Sequence, residues 1–315
     1  MKKEIFCTVG PGSLNKSFLN FSRKNINLLR LNMSHVDIKN LPKTINFIRK
    51  YTNTPICIDT EGAQIRSKVI KNMTYKKNLK LNIFLKKGNF KLYPPEVFYN
   101  LKKNDILDVG FEGLKIKIVK IAKEQIKCIV IEPGKLENNK GIHVVNRKFK
   151  LNFITKKDQE AIELGKKNKI KYFALSFVNS SDDIKKFNKI LKTEKKIFKI
   201  ETENAMKNID SILKAGDNFL IDRGDLSKEI QIENIPLAQR LILKKAKKFN
   251  KKVYIATNFL ESMIFKNFPT RAEVNDIYNA IELGSAGIVL AAETAIGKYP
   301  IECVNLIKKI FRIFK

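Results

Sequence analysis

Short apolar, β-branched segments recur along the chain, and most of them are separated by segments in which apolar residues repeat with a helical period. Eight segments are predicted to be strands: residues 5–9, 27–31, 55–59, 172–177, 198–200, 219–221, 253–256 and 287–290. Examples of the predicted helices are residues 38–50, 157–169, 182–191 and 237–249. Repeated alternation of strand and helix is typical of a closed parallel barrel, so we predict an α/β protein with a (β/α)8 TIM-barrel fold.

The interval after the third predicted strand interrupts this alternation. Residues 68–148 contain no comparable helix, but they include strand-like segments at residues 79–85, 114–121 and 126–131. We therefore predict a small β-rich lid domain at residues 68–148, inserted after strand 3 of a barrel domain formed by residues 1–67 and 149–315. Loops that follow barrel strands lie on the catalytic face, which is why we expect the insertion to act as a lid.

The composition is that of a globular protein. Hydrophobic residues make up 43% of the 315 residues, enough for a large core, and no apolar run reaches the ~18 residues that a membrane-spanning helix needs. The apolar stretch near the N-terminus is too short for a signal peptide, so we predict a cytoplasmic protein. The four cysteines are widely spaced and are expected to be buried, reduced thiols. With only two histidines, a multi-histidine metal site is not expected.

The strong positive charge adds a question about partners. The chain has 62 basic and 31 acidic residues, a net charge of +31, which is compatible with nucleic acid, an anionic membrane surface or anionic metabolites. The lysines are scattered through the predicted helices, and they form no single block and alternate with no aromatic ladder. We therefore expect no specific nucleic-acid partner and no membrane partner.

Polar side chains follow most of the predicted strands, and the active site of a barrel gathers at the carboxyl ends of its strands. Seven strand ends carry such residues: Thr8; Arg30, Asn32, Ser34 and His35; Asp59, Thr60 and Arg66; Lys199 and Glu201; Asp222, Arg223, Gly224 and Asp225; Thr257; and Glu293 with Thr294. A barrel that is only structural needs none of these groups on one face, so together they indicate a functional site.

The residue types at two of these strand ends suggest the chemistry. Side chains two residues apart on a strand share a face, so Lys199 and Glu201 point the same way. A cation beside a carboxylate, with a second carboxylate at Asp225, is suited to a divalent metal and a phosphate, because Mg2+ prefers oxygen ligands and phosphoryl transfer proceeds through an anionic transition state. Two simpler interpretations stay open: a strand-end carboxylate can cap the next helix, and Lys199 with Glu201 can be a surface ion pair.

Several motifs of the chain, taken together, resemble the pyruvate kinase family. They occur in the family's order and spacing over nearly the whole chain: Thr8-Val-Gly-Pro11, Arg30-Leu-Asn-Met-Ser-His35, Ile58-Asp-Thr-Glu-Gly62 with Ile65-Arg66, Ser176-Phe-Val178, Lys199-Ile-Glu201, Arg223-Gly-Asp-Leu226, Ala256-Thr257 with Leu260-Glu-Ser-Met263, Pro269-Thr-Arg-Ala-Glu-Val274 and Glu293-Thr-Ala295. The resemblance implies a TIM barrel with a lid after strand 3 and phosphoryl transfer from phosphoenolpyruvate to ADP, which gives pyruvate and ATP in glycolysis.

The resemblance also implies roles for individual residues. Catalytic roles fall on Lys199, Arg30 and Thr257, and substrate binding falls on Lys199, Gly224, Asp225 and Thr257. Glu201 and Asp225 would hold Mg2+ or Mn2+, whereas Asn32, Ser34, Asp59 and Thr60 would form a K+ site. Nucleotide binding falls on Asn32, His35, Arg66 and Lys140. A homodimer through the barrel, in the region of Pro269-Thr270-Arg271, is possible on the same basis.

The chain departs from the family pattern at several positions. Where the family usually has Lys-Gly-Pro-Glu it has Glu61-Gly62-Ala63-Gln64, which leaves K+ dependence open, and Ala291-Ala292 replaces a usual Ser-Gly. Ser227-Lys228 replaces Gly-Val, Asn179 replaces an arginine and Asn258 replaces a glutamine. Family members usually continue into a C-terminal effector domain, whereas this sequence ends after the eighth barrel helix, so we predict that this domain is absent.

Three functions follow from these observations. The main hypothesis is an active pyruvate kinase. The alternative is a non-catalytic or weakly active paralogue with a regulatory or binding role, suggested by Gln64, Ala291 and Ala292 and opposed by Lys199, Glu201 and Asp225. A metal-dependent aldolase or lyase acting on pyruvate or its enolate is a third hypothesis, which the predicted lid and the nucleotide-side residues oppose.

Overall fold

The computed structural model describes residues 3–110, 113–147, 149 and 151–314, and within them the chain forms seventeen strands. The first three are β1 (Glu4–Thr8), β2 (Leu28–Asn32) and β3 (Ile56–Asp59). The next nine are β4 (Ile65–Val69), β5 (Met73–Tyr75), β6 (Lys80–Phe84), β7 (Phe90–Tyr93), β8 (Ile106–Val109), β9 (Lys115–Ile121), β10 (Gln125–Glu132), β11 (Gly134–Leu136) and β12 (Gly141–Val144). The last five are β13 (Tyr172–Leu175), β14 (Lys195–Ile200), β15 (Asn218–Asp222), β16 (Lys252–Ala256) and β17 (Gly287–Leu290).

Eight of these strands close a parallel barrel in the order β1-β17-β16-β15-β14-β13-β3-β2, which confirms the predicted fold class. Helices cover a parallel barrel from outside and its own side chains fill it from inside, so its strands are apolar on both faces. All residues of β3 and β17 are accordingly buried. The carboxyl ends of parallel strands meet at one rim, and the register places Asn32 beside Asp59 there.

Most of the helices follow barrel strands, whereas α3 lies between β7 and β8. The described residues contain α1 (Lys16–Asn25), α2 (Leu41–Tyr51), α3 (Val97–Asn100), α4 (Lys156–Lys167), α5 (Ser181–Ile190), α6 (Glu203–Lys207), α7 (Ile209–Ala215), α8 (Arg223–Leu226), α9 (Ile235–Lys248), α10 (Arg271–Glu282), α11 (Ala292–Ala295) and α12 (Pro300–Ile313). Ser180 caps α5 and exchanges hydrogen bonds with Asp183, because its hydroxyl satisfies a backbone N–H that the first helical turn leaves open.

The chain folds as two compact units. The first comprises residues 1–62 and 156–315 and contains the barrel, and the second comprises residues 63–155. The predicted domain limits at 67/68 and 148/149 lie within a few residues of this division and stay a prediction. The second unit has a seven-stranded sheet in the order β6-β10-β9-β8-β12-β4-β7, with a separate β11–β5 pair, and its own apolar core, which includes Ile83, Phe90, Leu107 and Ile126.

The structure bears on the predictions for membrane-spanning helices and for the cysteines. Among the described residues, no helix is both long and apolar enough to cross a membrane. The four cysteines are buried free thiols: Cys7, Cys57, Cys128 and Cys303. Burial raises the pKa of each, which keeps the thiols neutral and unreactive.

An ion pair around a buried carboxylate stabilises the second unit. Arg147 donates two hydrogen bonds, from Nε and Nη2, to the carboxylate of Asp105, each 2.7 Å long. The Lys102 backbone N–H donates a third at 2.8 Å. Burial alone would raise the pKa of Asp105, but these contacts outweigh it and lower the pKa below its usual value. The charged form of Asp105 therefore stabilises the folded unit at neutral pH.

We expect Arg147→Met to lower the free energy of unfolding of this unit by about 2 kcal/mol at pH 7, since a buried carboxylate loses its charged donor. A carboxylate with a depressed pKa contributes stability above its unfolded pKa of about 3.9 and loses it as pH falls through the folded value. The difference between wild type and variant should therefore shrink at pH 3. Urea unfolding at both pH values measures this difference in the free energy of unfolding.

Lys115→Met, which removes the exposed pair with Glu132, is the matched control and should lower the free energy of unfolding by less than about 1 kcal/mol. An equal loss at pH 3 and pH 7 would contradict this account.

Candidate active site

Lys199 lies at the centre of a buried cluster of charges inside the barrel rim. Its Nζ is 2.8 Å from Glu201 Oε1, 3.4 Å from Asp59 Oδ2 and 3.5 Å from Asp222 Oδ2. The side chain is only 5% exposed, and that of Glu201 is fully buried, so the interpretation as a surface ion pair is wrong. Burial by itself would lower the pKa of Lys199, but the three carboxylates raise it well above its usual value. Lys199 is therefore a permanent ammonium ion.

Arg30 supplies the second buried cation of the cluster. Its Nη1 lies 3.2 Å from Asp59 Oδ2, and its Nε donates a 3.0 Å hydrogen bond to the hydroxyl of Thr8. That hydroxyl in turn donates to the Leu290 backbone carbonyl at 3.1 Å. Arg30 is thus oriented by the neighbouring strands β1 and β17, and Asp59 is shared between Arg30 and Lys199.

Glu201 is held by a backbone N–H through one carboxylate oxygen and faces Lys199 with the other. Its Oε2 accepts a 2.6 Å hydrogen bond from the backbone N–H of Phe177, a residue with φ of 54°. Its buried Oε1 accepts no hydrogen bond of good geometry, although Lys199 Nζ is 2.8 Å away. Burial, with the charges of Asp225 and Asp222, raises the pKa of Glu201 against the opposing effect of Lys199. A divalent cation at Oε1 would remove the energetic cost of this carboxylate.

Three carboxylates converge at this point. Glu201, Asp222 and Asp225 each offer an oxygen, and these oxygens lie within 4.8 Å of one another. Glu201 and Asp222 are buried, whereas Asp225 is partly exposed. Oxygen donors at such spacing, one of them without a hydrogen bond, fit a hard divalent cation that keeps several water ligands. The described residues thus contain a donor set that suits a hard divalent cation.

The segment that carries Asp225 is held by the loop after β16. The Gly224 backbone N–H donates a 2.8 Å hydrogen bond to Thr257 Oγ1, and that hydroxyl donates to the Ala256 carbonyl at 2.6 Å. Thr257 and Asn258 have φ angles of 73° and 56°, a conformation that costs free energy for residues with a Cβ. Such strain is typical of functional sites, and here it places the threonine side chain beside Gly224.

Asp225 has a further close neighbour on its own segment. Lys228 Nζ lies 2.8 Å from Asp225 Oδ1, and the two side chains are 36% and 22% exposed. The Lys228 backbone N–H also donates to the Asp225 carbonyl at 3.1 Å. Asp225 lies in the short helix α8 and Lys228 follows three residues later, just after the helix. This spacing brings the ammonium group of Lys228 next to the accessible carboxylate of the cluster.

The residues predicted for a monovalent cation lie at the ends of β2 and β3 and directly after them. Asn32 Oδ1 accepts a 3.0 Å hydrogen bond from the Ser34 backbone N–H, and Thr60 Oγ1 accepts one of 3.0 Å from the Ser176 backbone N–H. Asp59 Oδ1 accepts a 3.3 Å hydrogen bond from Ser176 Oγ. These oxygens are donors that K+ accepts, but those of Asp59 already contact Arg30, Lys199 and Ser176.

Buried carboxylates shape the loops of the rim. Asp158 accepts hydrogen bonds from the backbone N–H groups of Glu61 and Gly62 at 2.8 and 3.1 Å. A Cβ on Gly62, which has φ of 69°, would lie 2.8 Å from Ser176 Cβ, so only glycine fits there. Glu293 accepts from the N–H groups of Phe259, Leu260 and Ala291 at 3.2, 3.2 and 2.7 Å. Glu293 therefore holds the backbone of the loop after β16 and of the segment after β17.

The four residues predicted to bind the nucleotide form two pairs, one in each unit of the chain. Asn32 and His35 lie together after β2, where the His35 backbone N–H donates to the Asn32 carbonyl at 3.0 Å. Arg66 and Lys140 belong to the second unit and are adjacent there, because Arg66 pairs with Gly141 across β4 and β12. Lys140 Nζ is 3.1 Å from Glu137 Oε2.

Sequence reasoning missed the roles of two members of the cluster. The sequence places Asp222 at a strand end but gives it no role, yet it faces Lys199 and the other carboxylates. Ser176 donates to Asp59 and to the Thr60 carbonyl and accepts a 3.2 Å hydrogen bond from Lys199. A signal exists for Asp222, since it ends a buried strand next to Arg223-Gly224-Asp225. Ser176 lies in an apolar run, so only its place in the family motif Ser176-Phe-Val178 points to it.

Comparisons with known proteins agree with this geometry. A family model described as the barrel domain of pyruvate kinase matches residues 1–304. The chain is 33% identical over 98% of its length to plastidial pyruvate kinase 3 of Arabidopsis thaliana, of which it covers 57%. It is 32% identical to pyruvate kinases of Thermotoga maritima and Staphylococcus aureus, again over 98% of its length, and covers 70% and 56% of them. The chain therefore spans little more than half the length of most of these relatives.

Proposed function

Because this chain belongs to the pyruvate kinase family, we propose that it transfers a phosphoryl group between phosphoenolpyruvate and ADP and so produces pyruvate and ATP. The observation that supports this activity best is the buried cluster in which Lys199 faces Glu201, Asp59 and Asp222 beside the accessible carboxylate of Asp225. Such a cluster combines a permanent cation for a phosphoryl group with oxygen ligands for a divalent metal, the two components that phosphoryl transfer requires.

We propose that Glu201 and Asp225, with Asp222 close by, hold Mg2+ or Mn2+. The family generally needs a divalent metal. The convergence of the carboxylate oxygens of Glu201, Asp222 and Asp225 within 4.8 Å supports this assignment. When bound, the metal would supply positive charge to the substrate oxygens. We assign the substrate carboxylate to Gly224 and Thr257 on the basis of the family motifs; their present hydrogen bonds, from the Gly224 N–H to Thr257 Oγ1 and from that hydroxyl to the Ala256 carbonyl, would then be exchanged for bonds to the substrate.

In the proposed reaction the bond between phosphorus and the enol oxygen of phosphoenolpyruvate breaks, and a bond from phosphorus to a terminal oxygen of ADP forms. Lys199 and Arg30 stabilise the negative charge that develops on the phosphoryl group and on the enolate, because both remain protonated among carboxylates. The enolate then takes a proton at its methylene carbon and becomes pyruvate. We propose that the Thr257 side chain lies near that carbon.

We assign ADP to Asn32, His35, Arg66 and Lys140 on the basis of the family motifs. We assign K+ to Asn32, Ser34, Asp59 and Thr60, whose oxygens are suitable donors, while Gln64 leaves the requirement for K+ to experiment. The buried free cysteines support a cytoplasmic location, where thiols stay reduced. No nucleic-acid or membrane partner is part of this proposal.

A homodimer through the barrel is also part of the proposal. Phe265 and Phe268 are 70% and 62% exposed on the segment before α10, and Ile296 is 62% exposed. The two segments are joined by a hydrogen bond from the Lys298 N–H to the Ile264 carbonyl at 2.9 Å. Large apolar side chains exposed together mark interaction surfaces, and this surface adjoins Pro269-Thr270-Arg271.

The second candidate function is a weakly active or non-catalytic paralogue. Ala291 and Ala292 lack the hydroxyl that the family usually has there, and Lys228 contacts a carboxylate of the proposed metal site. Both features would slow turnover without preventing substrate binding.

A coupled assay of purified protein separates the two functions. We expect formation of pyruvate and ATP in equal amounts from phosphoenolpyruvate and ADP, dependent on Mg2+ or Mn2+. The assay is run with and without K+, since the residues leave this requirement open. Binding of phosphoenolpyruvate with no ATP formed under any ionic condition would favour the paralogue.

The role of Lys199 predicts a specific kinetic defect. Lys199→Met should lower kcat by about 10²–10³-fold with a much smaller change in KM, because the ammonium group acts mainly on charge that develops in the transition state. Lys196→Met, on the same strand but hydrogen-bonded to the Leu191 carbonyl, is the matched control and should retain activity. A variant of Lys199 with raised KM and unchanged kcat would limit this residue to binding.

The dimer predicts a shift in molecular mass. We expect the double substitution Phe265→Ser and Phe268→Ser to convert dimer to monomer in sedimentation velocity, because each removes a large exposed apolar side chain from the interface. Ile232→Ser changes a similarly exposed residue outside this surface and should leave the dimer intact. A wild-type protein that stays monomeric at high micromolar concentration would exclude the dimer.

A further inference from the structure

Lys228 stands in an unusual position relative to the carboxylate cluster. Its ammonium group is 2.8 Å from Asp225 Oδ1, and Asp225 is the one partly exposed member of the set that also contains Glu201 and Asp222. Ions from solvent can approach the cluster only through its accessible side. The contact therefore places the ammonium group of Lys228 where a divalent ion from solvent would bind.

Charge balance explains why this contact forms. The carboxyl oxygens of Glu201, Asp222 and Asp225 lie within 4.8 Å of one another, and Lys199 is the buried cation that faces the first two. Lys228 neutralises the third. Its backbone N–H also bonds to the Asp225 carbonyl, so the turn itself keeps the ammonium group near the carboxylate. The cluster is thereby stabilised without any metal.

We propose that Lys228 is a tethered competitor of the divalent metal: it occupies the Asp225 carboxylate in the metal-free protein and must leave Oδ1 when the ion binds there. This inference rests on the metal site of the proposed function. Lys228 then acts through Asp225: its ammonium group pairs with that carboxylate, and this pairing lowers the affinity of the site for divalent ions. The chain has Lys228 where the resembled family usually has an uncharged residue, and the structure gives this difference a physical consequence.

The exposure of the Lys228–Asp225 pair sets the size of the change in divalent-ion affinity that we expect when the pair is removed. Partly exposed ion pairs are worth little, since water already solvates both charges, and their loss changes an equilibrium by about two- to fivefold. The effect should also fade with added salt, because both side chains are in contact with solvent.

Direct binding of Mn2+ tests the proposal independently of turnover. Free Mn2+ is measured by electron paramagnetic resonance during titration of the wild-type protein, Lys228→Met, Lys228→Arg and Lys186→Met. Lys186→Met is the matched control: it removes the same charge and an ion pair of 2.7 Å with Asp182 on helix α5. We expect Lys228→Met to bind Mn2+ about two- to fivefold more tightly than wild type, and Lys228→Arg and Lys186→Met to bind as wild type does.

The outcomes separate this inference from the proposed function. Tighter binding in Lys228→Met, lost at high salt and absent in Lys186→Met, supports the competitor role even if no variant forms ATP. Equal affinity in Lys228→Met and wild type, or the same gain in Lys186→Met, overturns it while leaving the metal site in place. No Mn2+ binding in any variant overturns the metal site, and the inference with it. Asp225→Asn serves as the reference for a weakened site.

Discussion

The site depends on the cost of burying charge. Lys199 is almost inaccessible to water, so its ammonium group is tolerated only because Asp59, Glu201 and Asp222 surround it. These carboxylates are tolerated for the same reason, with Arg30 as the second cation. Removal of any one member leaves an uncompensated charge for the others. The cluster is therefore both a structural requirement of the barrel rim and the source of the chemistry that we assign to it.

Backbone hydrogen bonds keep this cluster in one arrangement. Glu201 is fixed by the Phe177 N–H, and the loops around it are held by Asp158 and Glu293, each of which accepts two or three N–H groups. The left-handed backbone at Thr257 costs free energy and is maintained by the surrounding contacts. Because these constraints exist before any substrate binds, the positive groups need little reorganisation when charge develops.

The cluster is buried at Lys199 and Glu201 and partly open to solvent at Asp225. Asp225 lies at the accessible edge, and its partner Lys228 is a flexible side chain partly in solvent. Under our proposal, a substitution at this edge would change how strongly the site attracts cations and would leave the buried charges in place. The family likeness thus supports the chemistry that we propose, and the residues around Asp225 are where the proposed metal affinity could be tuned.

The sequence alone determined the barrel, because eight buried strands alternating with helices leave few other folds, and it placed Lys199, Glu201 and Asp225 at strand ends. It also indicated the β-rich insertion through its loss of helical period. Tertiary structure decided which of these groups meet. Asp222 and Ser176 join Lys199 only through strand register, Glu293 turns inward to bind backbone, and Lys228 reaches Asp225 through a turn. Sequence spacing encodes the face of a strand, but contacts between residues more than a hundred positions apart, such as Lys199 with Asp59, depend on how the barrel closes.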